Sequence, residues 1–212
     1  MSEALRRAAQ QGRTEFVRRL LDRGDGPDDA EEEDGITALM YAAEEGHVDT
    51  MRLLMDRGAR VEAKDIGGVT AFMVAAYGGH VDAMRLLHSR GADIHATDNG
   101  GGTVLDRAVY GGSTGKVTDL RQPLKPYSAR GNVDAVSLLL GLGADVNGAD
   151  ATGWTTLMMA MGAGHLEVVK LLIASGVDVQ AKDENGMTAL YWAGQYGHTE
   201  VSELLRRAGA TS

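Results

Sequence analysis

The sequence predicts an all-α solenoid of stacked helix–turn–helix units joined by β-turn fingers. Three observations carry this. The stretch from Asp34 to Asp65, DGITALMYAAEEGHVDTMRLLMDRGARVEAKD, returns almost unchanged further along the chain. Thr37, Thr70 and Thr103 are 33 residues apart, as are Thr155 and Thr188. His47, His80, His165 and His198 each follow a glycine at the same place in the repeat. A fixed period of this size marks supersecondary units that stack on their neighbours rather than around one central core.

Each segment of the copy has a physical reading. Thr37 caps the first helix by accepting a hydrogen bond from an otherwise unpaired N–H. Leu39, Ala42 and Ala43 give that helix a short apolar face, with alanines small enough for close packing. Gly46 ends it and permits a tight turn. Asp49 lies in the first turn of the second helix, where the dipole favours an acid. Met51, Leu53 and Leu54 form its apolar stripe, Gly58 closes it, and Ala59 to Asp65 leads into the finger. Helices of roughly ten residues are marginal alone in water, so neighbouring copies must bury their faces.

Taken in order, residues 3–24 form a degenerate first copy without the Gly-x-Thr-Ala-Leu opening. Arg6, Arg7, Arg13, Arg18, Arg19 and Arg23 make it polar, as a terminal cap requires. Residues 25–34, rich in Gly, Pro and acid, replace the first finger. EF-hand spacing is absent there, so a solvated acidic loop is expected. Copies near 34–65 and 66–98 are regular, as is one near 151–183. The last, near 184–212, reads as the C-terminal cap. The copy near 99–150 is irregular: Thr103 and Thr155 are 52 residues apart, 19 more than the period. The excess, residues 113–131, falls between the two helices and must project from the stack. Lys116, Arg121, Lys125 and Arg130 against Asp119 give this insert a charge of +3 within a chain of −9.

The pattern Gly-x-Thr-Ala-Leu, Ala-Ala-x-x-Gly-His, Leu-Leu, Gly-Ala-x-Val resembles the ankyrin repeat, over nearly the whole chain and in phase through five copies. Six repeats and a single domain over residues 1–212 are expected. The family often carries Thr-Pro-Leu-His. Here the proline is Ala38, Ala71, Val104, Thr156 or Ala189, and the histidine is Met40, Met73, Asp106, Met158 or Tyr191. Methionine packing then replaces one inter-repeat hydrogen bond. Asp106-Arg107 stands out as a candidate ion pair linking the body to the insert.

Several function classes are excluded or disfavoured. A net charge of −9 argues against nucleic acid as the main partner. With no cysteine, neither disulfides nor thiolate metal sites form. No apolar run reaches membrane-spanning length and no signal peptide is visible, so a cytoplasmic location is expected. The regular histidines are not a metal array, because equivalent atoms of neighbouring repeats lie roughly 10 Å apart against coordination at about 2 Å. They are expected to hydrogen-bond across the helix–helix turn, and His88 and His95 to lie on the surface. Ser113-Thr114-Gly115-Lys116 fails as a phosphate loop, since Tyr110 stands at the first glycine and Val117 at the Mg²⁺-binding hydroxyl. Pro123-Leu124-Lys125-Pro126 is an isolated P-x-x-P. No catalytic constellation stands out, and no metal or cofactor is expected.

What remains are the positions the repeat leaves free. The resemblance implies recognition by finger tips and the outer side of each first helix. These positions hold Ile36, Val69, Trp154 and Met187 in the fingers. At the helix ends they hold Glu44, Glu45, Tyr77, Tyr110, Gln195 and Tyr196. Trp and Tyr at solvated positions suit an interface. Lys116, Arg121, Lys125, Tyr127 and Arg130 of the insert join this set. The expected function is non-enzymatic binding of another protein through the concave face and the insert, of adaptor, inhibitor or immunity type, by a monomer whose acidic body selects a partner with a basic patch. The alternative is an enzyme or small-molecule binder with a site beneath the insert near Asp106, Arg107 and Tyr110. A self-assembling structural solenoid is the third reading.

Overall fold

Thr37 Oγ1 accepts from Met40 N–H at 3.3 Å. The same cap recurs at Thr70, Thr103, Thr155 and Thr188. The threonine that marks the repeat in sequence is therefore the residue that starts each first helix. The computed structural model describes residues 2–30, 33–111, 132–163 and 165–211. Among them are twelve helices: α1 Ser2–Gln10, α2 Thr14–Asp22, α3 Ala38–Glu44, α4 Val48–Asp56, α5 Ala71–Gly78, α6 Val81–Ser89, α7 Val104–Tyr110, α8 Val133–Gly141, α9 Thr156–Ala163, α10 Leu166–Ala174, α11 Ala189–Gln195 and α12 Thr199–Arg207.

The helices form two rows. The odd-numbered helices α1 to α11 stack in sequence, the even-numbered helices α2 to α12 stack beside them, and each pair packs on itself. The core runs between the rows. Leu39, Phe72, Leu105 and Leu157 occupy one repeat position and are all fully buried; Leu54, Leu87, Leu139 and Leu172 do the same in the second helices. Buried Met40, Met73 and Met158 fill the place of the family's histidine.

His47 and His80 stitch neighbouring repeats together. His47 Nε2 donates to Gln10 O at 3.0 Å and His80 Nε2 to Glu44 O at 2.7 Å. Both acceptors lie at the end of the preceding first helix, where carbonyls have no intrahelical donor. Asn132 takes this place in the interrupted repeat, donating to Ala76 O at 3.0 Å and Tyr77 O at 2.8 Å. The stack thus resumes after the insert with its stitch intact. His88 and His95 are exposed, as expected.

The fingers are closed by single antiparallel bridges, Lys64–Thr70, Thr97–Thr103, Ala149–Thr155 and Lys182–Thr188. An aspartate organises each one: Asp65 Oδ1 accepts from Gly67 and Val69 N–H, both at 2.8 Å. Asp98, Asp150 and Asp183 repeat this. Successive fingers are tied through Ile66 N–H to Asp34 O, Asn99 N–H to Gly67 O, Ala151 N–H to Gly100 O and Glu184 N–H to Thr152 O. The acidic loop is less free than its composition suggests. Asp28 accepts from Arg60 N–H at 2.8 Å and pairs with its guanidinium at 3.1 Å, and Asp25 is buried against Arg23.

Candidate functional site

The finger residues singled out by sequence stand at the finger bases, not the tips. Val69 is 2% exposed, Ile36 and Trp154 are half-buried against the core, and Met187 is half-buried. The expectation of solvated tips fails because each follows a turn and immediately precedes the capping threonine, where the chain enters the stack. The tips are Ile66-Gly67, Asn99-Gly100, Ala151-Thr152 and Glu184-Asn185, and Ile66 is 55% exposed.

At the helix ends Glu45, Gln195 and Tyr196 are exposed, and Glu44 and Tyr110 are half-buried. Tyr77 departs from expectation: only 8% of it is exposed. Its backbone is also closely packed. A Cβ on Gly111 would collide with Tyr77 O, so only glycine lets the end of α7 lie against the end of α5 here.

The aromatic residues gather towards the C-terminal end. The Trp154 and Trp192 rings are 4.7 Å apart and tilted by 56°. Tyr191 meets Trp192 edge-on at 5.3 Å, and Tyr196 stacks on it at 6.1 Å. Trp192 is half-buried at the centre of this group. Its Nε1–H donates to Asp183 Oδ2 at 3.0 Å. Burial of Asp183 works against its charge, but N–H donation from Met187, Trp192 and Asn185 outweighs it and lowers the carboxyl pKa. Sequence reasoning left out Ile66 and Tyr191. Tyr191 was marked by its place, since it alone puts an aromatic ring where other repeats carry methionine or aspartate.

Asp106 and Arg107 do not pair with each other. Arg107 donates to Asp98 Oδ2 of its own finger. Asp106 Oδ2 accepts from Thr103 N–H and Oγ1–H, both at 2.8 Å, and its Oδ1 accepts from Thr156 Oγ1–H at 2.6 Å. Side chains on consecutive helical residues diverge, which sends one to the finger and the other to the next repeat. Burial raises the Asp106 pKa against these hydrogen bonds, and the nearby Asp150 charge adds to the rise. Tyr110 is raised as well, by burial first and then by Tyr196, Asp150 and Asp106. Lys116, Arg121, Lys125, Tyr127 and Arg130 lie outside the described residues. Among the described residues there is no metal-binding group of His, Cys, Asp or Glu, and no helix long and apolar enough to cross a membrane.

Charge divides sharply between the two rows. The fingers and first helices (34–46, 64–79, 97–111, 149–163 and 182–196) hold nine carboxylates against three cations. The second helices that follow (48–57, 81–90, 133–141, 166–175 and 199–207) hold seven of each. Several of the latter are paired, as in Arg57–Asp22 at 2.7 Å, Arg90–Asp56 at 2.9 Å and Lys170–Glu167 at 2.7 Å. Within these segments the excess of acid lies in the fingers and first helices.

Comparison with known proteins agrees with this architecture. The family model for ankyrin repeats (3 copies) matches residues 2–65 and 127–211, and one for ankyrin repeats (many copies) matches residues 56–108. No curated protein matches the chain. The crystal structure of an ankyrin repeat domain from Acinetobacter baumannii AYE is 29% identical, with a TM-score of 0.76 over 98% of each chain. Repeats of this kind are generally protein–protein interaction modules. With most of its length matched by the family model and its helices stacked in the corresponding rows, the chain belongs to the ankyrin repeat family.

Proposed function

We propose that this is a non-enzymatic binding protein of adaptor, inhibitor or immunity type. It acts as a cytoplasmic monomer of six repeats with boundaries near 33, 65, 98, 150 and 183. Its finger and first-helix side holds a protein partner through a basic patch. The uneven charge of the repeats from residue 34 onward is the observation that supports this reading: nine carboxylates against three cations in the finger and first-helix segments, and a balance of seven to seven in the second helices. Such a field attracts a basic surface and orients it towards one row of helices. Glu45, Gln195 and Tyr196 supply exposed contacts, with Glu44, Tyr110, Trp154, Ile36 and Met187 behind them. Buried Tyr77 and Val69 shape this surface from beneath. The insert, whose sequence carries a charge of +3, is part of the same proposal as an oppositely charged contact.

The test is capture of a partner with the wild-type chain, followed by binding measurements on variants. Glu45→Lys with Tyr196→Ala should weaken the complex, whereas Asp82→Lys with Glu200→Lys on the second helices should not. Equal loss from both pairs would overturn the assignment of the face.

A further inference from the structure

The aromatic group at the C-terminal end is more specific than a general acidic face requires. Trp192 is its centre, with Trp154 and Tyr196 against its ring and Tyr191 at its edge. Its indole N–H is committed to the Asp183 carboxylate at 3.0 Å. Donation to an anion pushes electron density back into the indole, which makes its face a better seat for a cation. Tyr196 is 48% exposed and Tyr191 42% exposed, so ring surface is open to solvent. Carboxylates lie on the fingers that carry the group: Asp183 at the N–H edge of Trp192, exposed Glu184 next to it in sequence, and half-buried Asp150 on the neighbouring finger, which carries Trp154. Lys182 is the cation of this finger, against the Asp183 and Glu184 carboxylates.

We propose that the Trp154–Trp192–Tyr196 cluster, with Asp150 and Glu184 on its fingers, is a receptor for an arginine side chain presented by the partner. This rests on the protein-binding reading above and adds the chemistry of one anchor. Guanidinium suits the site better than ammonium. Its plane stacks on an open aromatic ring while its N–H fork reaches carboxylates at the edge, and its weaker hydration lowers the cost of leaving water.

The cluster contains both tryptophans of the chain, so intrinsic tryptophan fluorescence reports on it alone. The probe is the acetylated and amidated peptide Gly-Arg-Gly-Arg-Gly, titrated into the full chain at low salt. Controls replace both arginines by citrulline, which keeps the shape and removes the charge, or by lysine. We expect a saturable change with the arginine peptide and roughly three- to thirty-fold weaker binding with citrulline or with Tyr196→Ala, while Tyr196→Phe restores it. The proposal is overturned by no saturable change, by citrulline or lysine matching arginine, or by a Tyr196→Ala variant that binds as wild type. It is also overturned if neutralising Lys116, Arg121, Lys125 and Arg130 alone shifts the emission, since the site would then be filled from within the chain. A captured partner that responds to Glu45→Lys, when the arginine peptide leaves the emission unchanged, removes the anchor and leaves the broader reading standing.

Discussion

The Asp106 carboxylate accepts a hydrogen bond from Thr156 Oγ1 at 2.6 Å, which ties α7 to α9 across the repeat that carries the insert. Equivalent positions in the preceding and following repeats hold buried methionine. One junction in the stack is therefore polar where its neighbours are apolar, and the carboxyl that makes it polar titrates.

The sign follows from the raised pKa. Ionised Asp106 is disfavoured in the folded chain, so the stabilising effect of its proton is full below the unfolded value of 3.8 and is lost as pH rises through the folded one. Asp106→Asn keeps the shape and removes the charge. The stability of the variant relative to wild type should grow as pH is raised from below the unfolded pKa towards neutrality, then level off. Urea denaturation across this range checks it, and a flat or shrinking difference would contradict it. Asp106→Ala should instead destabilise at neutral pH, by about 1–3 kcal/mol for each donor left unsatisfied.

Core and surface should separate in unfolding experiments. Leu54 and Leu172 are fully buried, so Leu54→Ala or Leu172→Ala should cost about 2–5 kcal/mol through the cavity left behind. Tyr196→Ala at an exposed position should stay within roughly 0.5 kcal/mol. The same denaturation curves compare all three.

Two glycines isolate the stitch between repeats. Gly46 and Gly197 both have positive φ, at 68° and 74°. Alanine at either should cost about 1–2 kcal/mol from left-handed backbone strain. At Gly46 the new Cβ would also lie 2.6 Å from the His80 ring, whereas at Gly197 nothing is within 4 Å. Gly46→Ala should therefore be clearly the more destabilising, and His80→Ala added to it should recover part of the difference. Equal melting temperatures for the two alanine variants would show that the histidine contact contributes little.

The parts of the fold readable in the sequence were those set by local chemistry repeated in phase. Thr37 and its equivalents cap helices, and Leu39, Leu54 and their equivalents are buried. Contacts between repeats were harder to read because period alone does not say which neighbour a side chain faces. The histidines were expected to hydrogen-bond across the helix–helix turn, but the sequence did not show that His80 reaches Glu44 O of the preceding repeat. Asp106 and Arg107 looked like a pair and instead point to different elements. Glu45, Gln195 and Tyr196, expected at solvated positions, were found exposed. Val69 and Tyr77 were not, because the pattern marks positions free of the repeat consensus and cannot tell a solvated residue from one packed between neighbours. Ile66 was overlooked for the converse reason: it lies inside the turn that Asp65 organises.

The most direct measurement of the central claim is the salt dependence of association with a captured partner, in wild type and in two charge-reversed variants. Glu45→Lys with Glu184→Lys, on the acidic side, should slow association by at least about tenfold at low salt and flatten its dependence on ionic strength, because screening acts on the field these residues create. Asp82→Lys with Glu200→Lys, on the balanced side, should leave both nearly unchanged. Association that is insensitive to salt, or that falls equally in the two variants, would contradict binding through the finger and first-helix face.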